Sequence, residues 1–393
     1  MVWTACHWAN LHAPQASRGV TVTLSKRAVS GLDGLSAVVV GGAGFVGSNL
    51  VSALAESGVR KIQVIDNLLS AERGNVPDLP AVTFIEGSIA DDTVLAQLAA
   101  DADVVFHLAT FHGNQNSMHD PLADHENNTL TTLKLFNHLK DRRSLRKVIY
   151  ASAGCTVAKK TYEQTEPTSE DASVSLTLDT PYQISKIIGE FYANYYQMRH
   201  GLPVVKARFQ NVYGPGEILG AGRWRGTPAT VWRNVTPTFV YRAIKGLSLP
   251  VENGGVATRD FIYVDDIVRG LLLCATRGEG GEVYNLASGV ETSIHDLANA
   301  INAHAGNATP IELTPQRQWD RSGRRSGSTA KAKEKIGFTA SICLDEGLAE
   351  TVAWTRQNLV PIERSMLKHV DQMPADDVMH AVFSQEGKAQ EGE

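Results

Sequence analysis

The stretch Ala37-Val-Val-Val-Gly41-Gly-Ala-Gly44-Phe45-Val46-Gly47 decides the fold of this chain. Its first four residues are apolar and mostly β-branched, as in a buried strand, and a helical pattern follows from Ser48 to Ser57. Between them, Gly41 permits a tight turn, Gly44 lets the backbone approach a pyrophosphate, and Gly47 lets the helix pack on the strand. A helix N-terminus here adds amide donors and a positive dipole. The stretch therefore predicts a dinucleotide-binding strand, turn and helix.

An acidic residue at the end of the next predicted strand indicates which dinucleotide is bound. Asp66 follows Gly47 by about twenty residues, the spacing at which an acid accepts hydrogen bonds from the adenosine ribose hydroxyls. Its charge repels a 2′-phosphate, so we expect NAD rather than NADP as the cofactor. A glycine-rich turn without a ligand is the alternative, and the strand, helix and acid around this turn argue against it.

Short β-branched runs alternate with helical patterns from Ser36 onward, which indicates βαβ units on a parallel sheet buried on both faces. The predicted strands are Ala37–Val40, Ile62–Ile65, Val82–Ile85, Val104–His107, Val148–Ser152 and Val204–Arg208. After Asn211 come Gly- and Pro-rich loops and two strand-then-helix segments, 257–268 and 282–297. We therefore expect an α/β fold: a doubly wound parallel Rossmann sheet with a smaller C-terminal α/β substrate-binding domain, and a ligand cleft between them.

These patterns divide the chain into four parts. We expect a loosely ordered N-terminal extension at 1–35, a NAD-binding Rossmann domain at 36–211, a mainly substrate-binding domain at 212–364 and a C-terminal tail at 365–393. A part of the third region, about 256–283, returns to the Rossmann side. The extension lacks the continuous apolar core of a secretory signal, although a targeting segment is an alternative. The tail is polar and predicts a surface helix followed by disorder.

The composition limits the partners that the chain can have. The 393 residues carry a net charge of −5, which gives no sign of a nucleic-acid or membrane partner. No apolar run approaches the length that spans a membrane. Four scattered cysteines without a CxxC pair indicate neither a zinc site nor a disulfide framework, so we expect no metal. Such cysteine usage fits a reducing compartment, and we expect a cytoplasmic protein.

Tyr182 and Lys186 lie four residues apart at the start of a helical pattern, which places both side chains on one helix face. An ammonium beside a phenol favours the phenolate and so lowers the phenol pKa. A tyrosine tuned in this way can take a proton from an alcohol while hydride leaves the same carbon. Because the pair follows a dinucleotide turn, it predicts oxidation of a hydroxyl rather than a core tyrosine beside a solvated lysine.

A series of short motifs accompanies this pair along the chain. They are Asp66-Asn67-Leu68, His107-Leu108-Ala109, Asn128 with Thr132, Arg208-Phe-Gln-Asn211-Val-Tyr213-Gly-Pro215, Asn234 with Pro237, Arg259-Asp260-Phe-Ile-Tyr263-Val-Asp265-Asp266 and Arg321-Ser-Gly-Arg324. In this order they resemble the motifs of the extended short-chain dehydrogenase/reductase family. Within that family, the resemblance is to the nucleotide-sugar epimerase/dehydratase branch and to UDP-glucose 4-epimerase-like members. The resemblance extends from Ala37 to Thr355.

The resemblance implies a role for each motif. The residues that would bind the cofactor are Gly41, Gly44, Phe45, Val46, Gly47, Asp66, Asn67, Ser88, Ile89, Leu108, Ala109, Asn128, Tyr182 and Lys186. Those that would bind a nucleotide-diphosphate sugar are Asn211, Asn234, Arg259 and Arg321. Two guanidiniums suit a diphosphate, and the family also implies a homodimer formed through the helix at 182–199. A basic, aromatic stretch at 223–233 could line the sugar or base pocket, form a subunit contact or be ordinary surface.

The segment Ser152-Ala-Gly154-Cys155-Thr156 departs from the family pattern. Relatives place there a hydroxyl that passes a proton between substrate and tyrosine. Here Gly154 stands at that position, and Ser152 or Thr156 is the candidate replacement. Relatives that eliminate water or carbon dioxide carry an acid directly after the hydroxyl, and this chain has none there. We therefore expect epimerisation at C4 through a transient 4-keto sugar, with Tyr182 as the base.

Other functions stay open at this point. Cys155 resembles the acid/base cysteine of a 3,5-epimerase, although Val235 replaces the lysine that partners it there. A nucleotide-sugar dehydratase, decarboxylase or reductase would share the first oxidation step. A NAD-binding regulatory protein is the non-enzyme alternative, and it is disfavoured because both Tyr182 and Lys186 are kept.

Overall fold

The structure is a computed structural model that describes residues 29–158, 161–164, 166–317 and 323–373. Its strands are Ser36–Val40 (β1), Lys61–Asp66 (β2), Val82–Glu86 (β3), Val104–His107 (β4), Lys147–Ala153 (β5), Val204–Phe209 (β6), Asn211–Tyr213 (β7), Pro250–Glu252 (β8), Thr258–Tyr263 (β9), Val283–Leu286 (β10), Glu291–Ser293 (β11) and Glu312–Thr314 (β12). Its helices are Phe45–Glu56 (α1), Asp92–Leu95 (α2), Asn114–His119 (α3), Pro121–Asp124 (α4), Thr131–Leu139 (α5), Pro181–His200 (α6), Ala229–Trp232 (α7), Val235–Ile244 (α8), Val264–Arg277 (α9), Ile294–Ala305 (α10), Ala330–Ile336 (α11), Leu344–Gln357 (α12) and Leu359–Leu367 (α13). A π-helical turn at His125–Leu130 joins α4 to α5. Within these ranges, no helix has the length and apolar character needed to cross a membrane.

Seven parallel strands form the central sheet in the order β10-β6-β5-β4-β1-β2-β3. The strand order reverses between β1 and β4, and the carboxyl ends of these strands open a crevice. The predicted doubly wound Rossmann fold is therefore confirmed. The six predicted strands match β1 to β6 within one residue at each end. The seventh strand, β10, lies in the segment 282–297, and it pairs with β6 rather than forming a separate addition.

Apolar side chains cover both faces of this sheet. Val39, Ile149 and Val205 belong to a cluster that includes α1 and α9. Val38 and Val148 belong to a second cluster that includes α5 and α6. Because successive side chains of a strand point to opposite faces, a sheet covered by helices on both sides needs the continuous apolar runs seen in the sequence.

The C-terminal half contributes two small sheets. β7, β9 and β11 form one sheet, and β8 pairs with β12 in the other. The helices α8, α10 and α12 pack against one another in this half. α9, in contrast, packs against α1 and β5, so the chain from α9 to β10 lies on the Rossmann side. The division into domains, including the expected return at about 256–283, stays a prediction.

The ends of the described chain are packed more firmly than the sequence predicts. Leu32, in the N-terminal extension, is buried in the main core. Met366 of α13 is buried in a third cluster with Met373 and Tyr241 of α8. The expected polar surface helix from Ser365 is corrected here, because the apolar side of α13 covers α8. Residues 1–28 and 374–393, which hold most of both predicted segments, lie outside the described residues.

Candidate active site

A cavity of about 410 Å³ opens at the carboxyl ends of β1 and β4, where the strand order reverses. Most of the residues predicted to bind the cofactor or to act in catalysis line it. They are Gly41, Gly44, Phe45, Val46, Gly47, Asp66, Asn67, Ser88, Ile89, Leu108, Ala109, Ser152, Cys155, Tyr182 and Lys186. The fold thus brings the glycine turn and the tyrosine–lysine pair to one place.

The glycines of the first turn are required by close backbone contacts. Gly41 has a φ of 85°, and a β-carbon there would lie 2.7 Å from Cα of Ala109. A β-carbon on Gly47 would lie 2.8 Å from Cα of Gly42. At Gly44 the nearest atom would be 3.4 Å away, so the backbone faces the open cavity. The turn therefore fits a dinucleotide pyrophosphate at the N-terminus of α1.

Asp66 ends β2 inside this cavity. Its Oδ2 accepts a hydrogen bond from the Ala43 amide at 3.0 Å, and its Oδ1 accepts one from the Leu68 amide at 2.9 Å. Burial raises the pKa of Asp66, and these backbone hydrogen bonds oppose the rise. The carboxylate holds the glycine turn and the loop after β2 together where the sequence predicts the adenosine ribose.

α6 carries the tyrosine and the lysine. Its N-cap is Thr180, whose hydroxyl accepts from an amide of the first turn at 3.3 Å, and Pro181 occupies that turn. The helix ends at Gly201, which adopts the left-handed conformation with a φ of 67°. This start directs both Tyr182 and Lys186 into the cavity.

The charges around Tyr182 differ from the expectation. Lys186 donates through Nζ to the Ala151 carbonyl at 3.0 Å, and Nζ lies 5.9 Å from the centre of the Tyr182 ring. Burial, with smaller contributions from Cys155 and Asp124, raises the pKa of Tyr182. Burial lowers the pKa of Lys186 to about 8, and the Asp124 carboxylate opposes that change. The predicted lowering of the phenol pKa is therefore wrong for the protein alone, because desolvation dominates and only a hydrogen bond with the Thr110 side chain opposes it.

Asn128 lies behind the cavity wall, in the π-helical turn. Its Oδ1 accepts from the Phe111 amide at 2.7 Å and from the Thr110 hydroxyl at 3.1 Å. Its Nδ2 donates to Asp124 at 2.8 Å and to the Ser185 hydroxyl at 3.2 Å. Asn128 ties the loop after β4 to α6 and is not part of the cavity lining. Its contact with the cofactor stays a prediction.

Both hydroxyls considered as the proton shuttle are engaged. Ser152 lines the cavity, and its Oγ donates to Glu190 at 2.6 Å. Glu190 in turn forms a buried ion pair with Arg208 at 2.8 Å. Thr156 donates to the Ala153 carbonyl at 2.8 Å and does not line the cavity. The structure therefore brings Ser152, and not Thr156, to the site.

A second cavity of about 440 Å³ adjoins the first. The polar residues that line both cavities are Gln115, Asn211, Arg233, Asn234 and Arg317. Arg259 lines the second cavity, and its Nη1 donates to the Gly323 carbonyl at 2.9 Å. The cavity thus offers several guanidiniums at the place where a diphosphate is predicted. The expected partner of Arg259, Arg321, lies outside the described residues.

The side chains of the basic, aromatic stretch at 223–233 differ in their surroundings: some line a cavity, and others are packed in the interior. Trp232 and Arg233 line the second cavity. Trp224 packs against the third apolar cluster. Arg225 is buried and donates to the His112 carbonyl at 3.2 Å. The second half of the stretch, from Pro228 to Arg233, therefore reaches the predicted substrate region, whereas Trp224 and Arg225 do not.

Several polar residues of the first cavity were missed by sequence reasoning. They are Thr110, His112, Asn127, Gln210, Glu217 and Arg325. The His112 and Tyr182 rings meet edge to face with centres 5.9 Å apart, and burial lowers the pKa of His112 to about 3. Glu217 accepts from Asn234 at 2.7 Å, and burial raises the pKa of Glu217 to about 7. His112 and Glu217 follow closely on recognised motifs, so the loops after those motifs were the available signal.

A glycine turn facing a tyrosine–lysine pair on this sheet defines a dinucleotide-dependent enzyme. Residues 37–287 match the model of the NAD dependent epimerase/dehydratase family, and the chain belongs to that family. The Bordetella bronchiseptica enzyme WbmF in complex with NAD+ is 58% identical, with a TM-score of 0.78 over 87% of this chain and 98% of that chain. A dTDP-glucose 4,6-dehydratase of Streptomyces antibioticus is 31% identical over 82% of this chain and 93% of its own length. A UDP-glucose 4-epimerase of Mycolicibacterium smegmatis is 30% identical over 81% of this chain and 98% of its own length. The predicted family, enzyme class and NAD cofactor are confirmed.

Proposed function

We propose that this protein catalyses the epimerisation of a nucleotide-diphosphate sugar at C4 through a transient 4-keto sugar. The observation that carries the proposal is that Tyr182 and Lys186 share a cavity with the glycine turn, beside a segment, 151–157, without a carboxylate. Oxidation and return of hydride need only a proton acceptor and the cofactor, whereas elimination also needs an acid. One relative bears the name UDP-glucose 4-epimerase, and WbmF has been crystallised with UDP as well as NAD+.

In the proposed mechanism, Tyr182 takes the proton of the C4 hydroxyl and later returns it. NAD, when bound, supplies the hydride acceptor and a positive ring. Lys186 is fixed on the Ala151 carbonyl with Nζ 5.9 Å from the centre of the Tyr182 ring, and its positive charge would favour the phenolate as the proton is taken up. His112 is neutral, so it supports the orientation of the Tyr182 ring without adding charge.

The diphosphate is proposed to lie in the second cavity. Arg259 and Arg233 present guanidiniums there, and this side chain forms paired hydrogen bonds with phosphate oxygens. Asn211 and Asn234 lie where the two cavities meet, so they suit the link between diphosphate and sugar. Arg321 keeps its proposed role as a further diphosphate ligand.

Cys155 supports a second candidate, 3,5-epimerisation, because its thiol lines the first cavity. Burial raises the pKa of Cys155, although Arg325 opposes the rise, so the thiol is held in its protonated, less reactive form. Val235, at the position of the partner lysine, lines the second cavity and offers no base. These observations favour C4 chemistry over this alternative.

The function is tested by incubating the purified protein with UDP-, GDP-, CDP- and dTDP-sugars and following the products by NMR and mass spectrometry. We expect one nucleotide class to give a product of unchanged mass, inverted at C4, with no net reduction of NAD. A product lighter by water or carbon dioxide would instead identify a dehydratase or a decarboxylase. Tight NAD binding without turnover of any nucleotide sugar would identify a regulatory protein.

We further propose a cytoplasmic homodimer formed through α6. Ile184, Phe191, Tyr195 and Met198 are exposed apolar residues on this helix, and their spacing places them on one face. A second copy of α6 would cover this stripe. Light scattering on the purified protein should give twice the mass of the chain. The cytoplasmic location rests on cysteine usage, and the described cysteines are free thiols.

A further inference from the structure

Gly154 stands where relatives place the proton-passing hydroxyl, and the end of the Gln210 side chain fills the space in front of it. A β-carbon on Gly154 would lie 2.7 Å from Cδ and 2.8 Å from Oε1 of Gln210, and closer still to Nε2. Side chains do not approach one another so closely. A serine at position 154 and the present placement of the Gln210 amide therefore exclude each other.

A second glycine leaves room for the same amide. A β-carbon on Gly327 would lie 2.7 Å from Nε2 of Gln210 and 2.9 Å from Cβ of Ala287. Gln210 directly follows β6 and lines the first cavity, as do Ser152 and Tyr182. The absence of side chains at two glycines from distant parts of the chain thus leaves space for the Gln210 amide at the reacting end of the cavity.

The two hydroxyls of this segment, those of Ser152 and Thr156, both have other partners. The Ser152 hydroxyl donates to the buried Glu190, and Thr156 donates to the Ala153 carbonyl. An amide offers two N–H donors and a carbonyl acceptor, so it can hold a sugar hydroxyl from either side. It is neither an acid nor a base near neutral pH, so it can orient a hydroxyl but cannot carry its proton.

We propose that Gln210 orients the reacting sugar in place of the missing serine or threonine, an inference that rests on the proposed C4 epimerisation. The Gln210 amide hydrogen-bonds a hydroxyl of the sugar at or beside C4. The proton then passes directly between the C4 hydroxyl and Tyr182, without a shuttle. Gly154 is the residue that makes this arrangement sterically accessible.

The test is a double-mutant cycle on the full chain, with the nucleotide sugar that the wild type turns over. Gln210→Ala should lower kcat/KM by at least about tenfold, the loss expected for an oriented hydrogen bond. Gly154→Ser should lower it similarly, because the serine displaces the amide. The double variant Gly154→Ser/Gln210→Ala should recover most of the activity, since the serine then has the space and supplies a hydroxyl.

Two further variants separate orientation from packing. Gln210→Met keeps the length of the side chain and removes its polar atoms, so it should be as impaired as Gln210→Ala. Gly74→Ser, at a glycine with no neighbour within 4 Å, should leave kcat/KM unchanged. All variants should keep the NAD affinity and melting temperature of the wild type.

Full activity of Gln210→Met, or a double variant no better than the two single ones, would overturn this inference alone. A wild type that turns over no nucleotide sugar would overturn both this inference and the proposed function.

Discussion

The two ends of the first cavity are built in different ways. At the cofactor end, the geometry depends on backbone atoms, which are exposed at Gly44 and held by Asp66. At the reacting end, it depends on side chains from separate elements, with Tyr182 on α6 and Gln210 after β6. Where backbone atoms form the site, only certain residue types at a fixed spacing allow the required contacts. The cofactor end therefore keeps the motif of the family. A site made by side chains can exchange one group for another, and here the chain departs from its relatives.

The largest expected effect is at the reacting end, from Tyr182→Phe. Loss of the phenol oxygen removes the proposed proton acceptor, so kcat should fall about 10³-fold or more. NAD affinity should stay the same, because the cofactor end does not depend on this oxygen. Steady-state kinetics and a fluorescence titration with NAD measure the two effects separately. Tyr195→Phe, on the same helix but not among the residues that line the cavity, is the matched control and should be fully active, because phenylalanine keeps the apolar contact area. Retention of a large part of the activity by Tyr182→Phe would refute its role.

The next largest effect is on stability, from a residue that supports the reacting end without lining it. Arg208 donates to both oxygens of Glu190 at 2.8 Å, and Glu190 accepts from Ser152. Arg208→Met leaves this carboxylate buried without its partner, so the free energy of unfolding should fall by about 3–5 kcal/mol. Urea unfolding followed by tryptophan fluorescence measures it.

The exposed pair of Arg60 with Asp101 supplies the control for this experiment. Arg60→Met should leave the free energy of unfolding nearly unchanged, because exposed ion pairs contribute little. The double variant Arg208→Met/Glu190→Met should recover much of the stability lost in Arg208→Met, since no charge is then left unpaired. Equal effects of Arg208→Met and Arg60→Met would show that the buried pair has no special importance.

The contrast between the two ends also explains which parts of the molecule could be predicted. Gly41 and Gly47 are required by backbone atoms a few residues away or on the neighbouring strand, so their spacing alone identifies the turn. The helix start at Thr180 and Pro181 is equally local. Continuous apolar runs were sufficient to place six strands, because helices cover both faces of the sheet.

The remaining errors arose where distant segments meet. Gln210 belongs to a recognised motif, but only the folded chain shows that it fills the space in front of Gly154. Thr156 was a candidate because of its hydroxyl, and the tight turn after β5 directs that hydroxyl to the Ala153 carbonyl. The pKa of Tyr182 depends on how completely water is excluded from the cavity, and the four-residue spacing to Lys186 contains no information on that.

A smaller effect is expected at the cofactor end, from Asp66→Asn. The neutral amide no longer repels a 2′-phosphate and accepts weaker hydrogen bonds from ribose hydroxyls, so NAD affinity should fall roughly ten- to a hundredfold. The preference for NAD over NADP should fall with it. Titrations of both dinucleotides measure this, and the exposed Asp101→Asn is the control. An unchanged preference would show that another group selects the cofactor.

A still smaller effect is expected from a change of pH, through the titration of Lys186. Burial lowers the pKa of this lysine to about 8, so its ammonium loses the proton as pH rises through that value. If that charge supports the phenolate, kcat should fall about tenfold per pH unit well above 8. The free energy of unfolding should change in the opposite direction. Between pH 8 and the ordinary pKa of lysine, the unfolded chain binds more protons at this residue than the folded chain does. The free energy of unfolding therefore rises with pH in this range. A rate that kept rising above pH 9 would contradict this role.

The smallest effect is expected from Cys155→Ala, although the thiol lines the reacting end. C4 epimerisation uses the phenol and the cofactor, so kcat should change by less than about threefold, within what a small packing change produces. In D2O the product should carry no deuterium on carbon, because hydride moves between substrate and cofactor without exchange with water. Epimerisation at C3 or C5 removes those carbon-bound hydrogens as protons and therefore incorporates deuterium. A deep loss of activity in Cys155→Ala, together with deuterium at C3 or C5 in the wild-type product, would show that Cys155 acts as an acid/base on a carbon beside the ketone that Tyr182 and NAD produce.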